Sequence, residues 1–500
     1  MSDQSGATQT VEHQKGILGL IEKAGNKLPD PAFIFFYLII LMAIVSTVTA
    51  FMGLSVEHPT QLGPDGAPAI VAAASALSAE NVRYLLVEMP EIFTSFHPLG
   101  YVLVVMLGAG VAERAGLFGT AMRAAVSDVP RLLLTPAVAL TAMIGNLAAD
   151  AAYVVLIPLA GVIFAAAGRH PIAGIAAAFA GVSGGFSANL LPGQLDALLF
   201  GITEEAVVAL APDWTMNIAG NWFFIVGMTF VFLPVIWAVT DLIIEPRLGK
   251  WTGGAVAGKA ASEDDDPSAP LTAGQKKGLA LAGWVSLAVA LFWLVLTVAG
   301  VVYGQAAGTI KDHRDIVDMM AGAMKDMGYY LVLAFFAAYF VELFNVSNLG
   351  LISAVNGANA IEQSGLPLPI VLGLIVLFSA LLNLFVGSAS AKWALMAPVL
   401  VPMLMLLGVS PEMATAAYRV GDSATNIITP LMVYFPLVLV FARRWVPEFG
   451  LGSLTASMIP YSIWLLITGV LMTIGWVYLD LPLGLGAGVG YDLPEALMGQ

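Results

Sequence analysis

Arg419 and Asp422 stand three residues apart inside a long apolar stretch, and Asp150, Asp196 and Lys392 are further ionisable groups set deep in such stretches. A charge at the centre of a bilayer costs roughly 2.5–3.5 kcal/mol on insertion scales, so residues of this kind face a partner or a wet cavity. A guanidinium presents a planar fork to a carboxylate, which makes Arg419 a candidate for binding an anionic substrate group; a structural pair with Asp422 is the alternative. Asp150 could ligate a cation, carry a proton or cap a helix, and Asp196 follows Pro192-Gly193-Gln194 near the end of its apolar run. Neutral oxygens accompany these charges. Ser187 and Asn189 in one segment, and Ser423, Thr425 and Asn426 in another, suit a hard monovalent cation such as Na⁺, while capping of broken helices would also explain them. Trp393, beside Lys392, either stacks on an aromatic substrate ring or fills a core.

Other chemistries are excluded by composition. There is no cysteine, so disulfides, thiolate metal sites and thiol catalysis are absent, and the five histidines are scattered without zinc spacing. A formal net charge of -14 argues against a nucleic-acid partner. Gly421-Asp422 resembles part of an intramembrane aspartyl protease motif, but Arg419 occupies the place of its first glycine. With 59% hydrophobic and 11% charged residues, the chain needs lipid as its main solvent.

The elements that must position these residues are membrane spans. Apolar stretches long enough to cross a bilayer recur at 32–54, 97–118, 171–200, 220–244, 278–303, 327–345, 411–441 and 458–479. Two more, 131–167 and 367–407, are too long for one span and are interrupted at Gly145–Asp150 and Gly387–Lys392. Irregular backbone at membrane depth survives only when buried in protein or lining a cavity, so both read as hairpins that enter and leave on one side. Lys15, Lys23, Lys27, the linker bases around Arg247–Lys277 and Arg443-Arg444 place the N-terminus in the cytoplasm, and the tail after Leu479, free of Lys and Arg, is expected outside. That orientation needs an odd number of crossings, which eight spans do not supply; one crossing is therefore missing, between Pro246 and Pro367.

An internal repeat organises the spans. Pro158 and Pro171 recur as Pro398 and Pro411 at an offset of 240, and Tyr101 and Glu113 recur as Tyr330 and Glu342 at an offset of 229. After each hairpin comes a helix broken by polar residues and closed by proline, Ser183–Pro192 and Gly421–Pro430. The expected organisation is a cytoplasmic segment 1–30, a first repeat 31–245 with its hairpin at 131–167, and a cytoplasmic linker 246–276. A linking span and second repeat follow at 277–480, with a hairpin at 367–407, then an external tail 481–500. Paired interruptions in two hydrophobic halves point to a transport site at the repeat interface.

The second-half constellation of Ser390, Trp393, Pro411, Arg419, Asp422 and Pro430, in the contexts Gly387–Trp393 and Tyr418–Asn426, resembles the aminobenzoyl-glutamate transporter (AbgT) family over essentially the whole chain. The resemblance implies an all-α polytopic membrane protein with about nine transmembrane helices plus two re-entrant hairpins in an inverted repeat with broken helices. It also implies a homodimer in the bacterial inner membrane, with substrate bound by those six residues and by a first-half aspartate, Asp150 or Asp196. The activity implied is secondary transport of p-aminobenzoyl-glutamate or export of sulfonamides, with no enzymatic step and no cofactor besides a coupling ion, Na⁺ or H⁺. The rivals are a Na⁺-coupled dicarboxylate or citrate carrier of the same superfamily and, further off, a channel or an intramembrane aspartyl protease.

Overall fold

The computed structural model describes residues 31–62, 68–126, 129–148, 152–208, 210–211, 214–251, 272–288, 292–429, 432 and 434–492. Asp150, Pro430, the segment 1–30 and most of the linker lie outside them. The described chain is mostly helical. Helix α1 (Pro31–Phe51) turns Phe33, Phe36, Ile40, Leu41, Ile44 and Val48 outward, an apolar exterior that suits lipid and not water. Among the described residues, five helices are long and apolar enough to cross a membrane: Ala32–Phe51, Trp222–Leu248, Gly328–Ser347, Ala389–Leu406 and Leu451–Tyr478.

Helix is not universal. Strands β1 (Ser55–Leu62) and β2 (Pro68–Ala72) pair antiparallel with Ser55 opposite Ala72 and Glu57 opposite Ile70, which corrects the all-α expectation. Val56, Ile70 and Val71 favour extended backbone, and the ribbon is fastened by the Ala74 amide to the Ser347 carbonyl (3.0 Å) and by Asn348 Nδ2 to the Ala72 carbonyl (3.0 Å).

Two short helices, α2 (Ala79–Val87) and α3 (Met89–Thr94), lead into the first series: α4 (His97–Arg114), α5 (Leu117–Val126), α6 (Leu134–Gly145), α7 (Ile157–Ala166), α8 (Pro171–Phe179), α9 (Gln194–Val207) and α10 (Trp222–Val239). Next come α11 (Ala273–Ala288), α12 (Phe292–Ala307) and α13 (His313–Asp326). A second series follows: α14 (Gly328–Ser347), α15 (Leu349–Ser364), α16 (Leu368–Asn383), α17 (Ala389–Leu406), α18 (Pro411–Thr425), α19 (Phe435–Arg443) and α20 (Leu451–Tyr478).

The two series share local chemistry at matching points. Helices α8 and α18 both begin with proline at the first helical position, behind a capping residue: His170 Nδ1 accepts from the Ile172 amide (3.2 Å), and Ser410 Oγ from the Met413 amide (3.2 Å). Gly181, in a π-turn that continues α8, sits so close to α6 that a Cβ would meet the Ala139 carbonyl oxygen at 2.8 Å. Gly421, 240 residues on, seats α18 on α16 in the same way, where a Cβ would run into the Val376 carbonyl oxygen. The crossed contacts are reciprocal too: α9 packs on α17 and α18, while α19 packs on α7 and α8.

The stretch 278–303, which reads as one span, is divided. Helices α11 and α12 lie against one another, and a Cβ on Gly278 would meet the Tyr303 ring at 2.8 Å. In one continuous helix these residues would stand about 37 Å apart. Hydropathy gives the length of an apolar run but not its path, and Gly278 permits the close approach of the two arms here.

Candidate functional site

Every residue of α18 is buried, so its polar side chains must find partners inside the protein. Arg419 Nη1 donates to Asp196 Oδ1 at 2.6 Å, a buried ion pair across 223 positions of sequence. Asp196 stands in the first turn of α9, where its other oxygen accepts from the Gly193 amide at 2.6 Å and closes the helix start. Asp422 does not pair with Arg419. Its carboxylate takes the Lys392 ammonium of α17, which also donates to Asn383 Oδ1 at the end of α16. The three-residue spacing offered a local pair, but the two side chains reach different neighbouring helices.

Asn383 is a hub that the sequence reading passed over. Its Nδ2 donates to the Asp422 carbonyl (2.6 Å), Thr425 Oγ1 (3.0 Å) and Asn426 Oδ1 (2.8 Å). Asn146, which closes α6, donates in the same fashion to the Gly185 carbonyl (3.4 Å). The readable signal was the Asn-Leu pair ending both apolar runs, at 146–147 and 383–384.

The proposed cation donors are largely engaged, and one contact joins the two sets. The Ser187 amide donates to Ser423 Oγ at 3.0 Å, joining the two breaks; Asn189 bridges the Met143 carbonyl and the Leu190 amide; Thr425 donates to Ala380 and Gly421 carbonyls. Ser187 Oγ, buried, has no hydrogen-bond partner among the described residues. Among the described residues no group of three or more His, Asp or Glu side chains is placed to hold a metal ion.

Trp393 is wholly buried, stacked on Tyr418 at 4.6 Å between ring centroids, with Nε1 donating to Thr203 Oγ1 at 2.8 Å. Thr203 touches Thr415 at 2.9 Å, so this tryptophan ties α17, α9 and α18 together one turn from Arg419. Ser390 lies elsewhere, lining an apolar cavity with Phe96, Tyr330 and Ala337, and Pro411 starts α18 two turns from Arg419.

A second, polar cavity is lined by Asp196, Asn221, Glu412, Thr415 and Arg419, with Met216, Asn217 and Ile218 on one wall. In this conformation it has about 10 Å³ of space, room for one water. Residues 481–491 lie across that end of the molecule. Ser410 N and Oγ donate to the Val489 and Gly488 carbonyls (2.9 and 2.6 Å), the Tyr491 amide to Gly408, and Asn217 Nδ2 to Leu485 (3.1 Å).

Comparison with known proteins places this geometry. A family model described as "AbgT putative transporter family" matches residues 16–298 and 286–491. A p-aminobenzoyl-glutamate transport protein of Escherichia coli K12 is 36% identical over 504 residues, covering 94% of this chain and 96% of that protein. Among solved structures, the Alcanivorax borkumensis YdaH transporter is 40% identical with a TM-score of 0.83 over 91% of this chain and 100% of its own. Neisseria gonorrhoeae MtrF, described as illuminating a class of antimetabolite efflux pumps, is 39% identical with a TM-score of 0.86 over 95% of this chain and 100% of its own.

Proposed function

The chain belongs to the AbgT family of membrane transporters and is not an enzyme; from that premise we propose that it carries p-aminobenzoyl-glutamate, exports sulfonamide-type antimetabolites, or does both, driven by a Na⁺ or H⁺ gradient. The observation that carries this reading is the buried Arg419–Asp196 pair. A guanidinium held by a single Asp196 oxygen, with Nε unpartnered among the described residues, is a preformed seat for an anion. A carboxylate or sulfonyl oxygen arriving there competes with Asp196 for the guanidinium, and this exchange gives the protein a differential affinity between conformations.

Around that centre the reading is a homodimer in a bacterial inner membrane with about nine spans and two hairpins, N-terminus inside and C-terminus outside. The first repeat runs over 31–245 and the second within 277–480, hairpins at 131–167 and 367–407. Asp196 is the first-half aspartate of the site. Trp393, Pro411 and Asp422 act on it by seating α18, Ser390 faces the scaffold helix α14, and Ser187 Oγ is the donor open to a monovalent coupling ion.

The test is flux of radiolabelled p-aminobenzoyl-glutamate and of a sulfonamide in proteoliposomes under separately imposed Na⁺ and pH gradients. Flux driven by one gradient and abolished by Arg419→Ala is expected. Flux of succinate or citrate alone would transfer the protein to the dicarboxylate reading.

A further inference from the structure

Three buried polar atoms on the wall of the Arg419 cavity have no hydrogen-bond partner among the described residues: Glu412 Oε2, Asn221 Oδ1 and Arg419 Nε. Their residues are 4%, 7% and 2% exposed, so bulk water does not serve them, and an unmade bond at such a place carries the full desolvation penalty. Two are acceptors and one is a donor.

Local duties do not explain them. Asn221 occupies the capping position of α10, where its oxygen would ordinarily take an amide of the first turn, yet it makes no such bond. Glu412, in the first turn of α18, meets the helix dipole, but that leaves its Oε2 without a hydrogen bond among the described residues, buried against Gly220. A Cβ on Gly220 would come within 2.9 Å of Glu412 Cγ, so only glycine lets this segment close over the glutamate. Glu412, Thr415 and Arg419 share one face of α18, with Glu412 and Arg419 two turns, about 10 Å, apart along the axis.

We propose that Glu412 and Asn221 form an amine-recognition subsite that takes the two N–H groups of a primary arylamine while Arg419 takes the carboxylate or sulfonyl oxygens of the same molecule. This rests on the substrate reading above. A primary arylamine is uncharged at neutral pH and offers two donors, matching the two open acceptors in number and sense. p-Aminobenzoyl-glutamate and the sulfonamides carry that amine para to the carbonyl or sulfonyl group, at the end of the ring opposite their acceptor oxygens. Succinate or citrate, by contrast, has no N–H donor to offer Glu412 and would bring only further negative charge toward it, so the residue also disfavours the rival substrates. The cavity admits such a molecule only when the 214–221 segment parts from α18.

The experiment compares p-aminobenzoyl-glutamate with benzoyl-glutamate, which lacks the amine, and sulfanilamide with benzenesulfonamide, as KM values for flux in proteoliposomes. The wild-type protein is expected to prefer the amine-bearing member by ~10–100-fold. Glu412→Leu should bring each pair within about threefold, chiefly by loss of affinity for the amine, and Asn221→Ala should remove part of the preference. Glu412→Gln keeps an acceptor oxygen and should keep part of the discrimination, which covers the case in which the leucine variant does not fold. Equal KM values in the wild type, or a preference unchanged in Glu412→Gln and Asn221→Ala alike, overturn the subsite while transport of the amine compounds stands. Wild-type flux of none of the four compounds overturns both the subsite and the substrate reading beneath it.

Discussion

Each oxygen of the Asp196 carboxylate has its own task, one closing the start of α9 and the other holding Arg419, and the Lys392–Asp422 pair likewise fixes α17 to α18 with Asn383 beside it. Buried pairs of this kind are costly to break and cheap to replace as a unit. Lys392→Met should therefore lower stability by ~3–5 kcal/mol by leaving Asp422 charged and alone, and the double variant Lys392→Met with Asp422→Asn should recover most of it. Thermal unfolding in detergent measures both; a double variant no more stable than the single would contradict the pairing. The charged residues were legible in sequence because a charge in an apolar run is conspicuous. Their partners were not, because Arg419 and Asp422 suggest each other by proximity while the bond actually formed spans 223 positions. Glu412 escaped notice beside Pro411, where an acid looks like an ordinary helix start.

Packing of the broken helices depends on two glycines. Gly421 brings α18 against the backbone of α16, and Gly181 brings the turn after α8 against that of α6, closer than any side chain allows. Gly421→Ala is expected to destabilise the protein by at least ~1–3 kcal/mol and to displace Asp422 from Lys392, because the obstruction is the immobile Val376 carbonyl. Gly475 in α20 has nothing within 4 Å of a built Cβ, so Gly475→Ala should be stabilising by ~0.5–1 kcal/mol; equal effects at both sites would refute the argument. At this scale prolines and polar breaks announced where helices start and stop. The return of α12 upon α11 was hidden, since an apolar run reads alike whether it continues or folds back.

Seven helices in each series follow one order, but their charges do not. At the 240 offset, Lys392, Arg419 and Asp422 stand where the first half has Ala152, Phe179 and Val182, while the first half brings its own charge, Asp196, from a different place to meet Arg419. Movement of this site past its scaffold has a clean test, since the chain has no cysteine. Ala337→Cys in α14 and Ala394→Cys in α17 line one cavity, and bridging them with a short thiol crosslinker should stop flux, with recovery on reduction; undiminished flux after complete crosslinking would exclude such motion. The strap over the cavity has a different consequence, for biosynthesis. The start of α18 is anchored by carbonyls that lie 78 and 79 positions further on. A ribosome must therefore deliver residues 488 and 489 before the start of α18 can be fastened. Nascent chains halted before residue 481 would insert most of their helices yet lack the bonds that hold Ser410 in place.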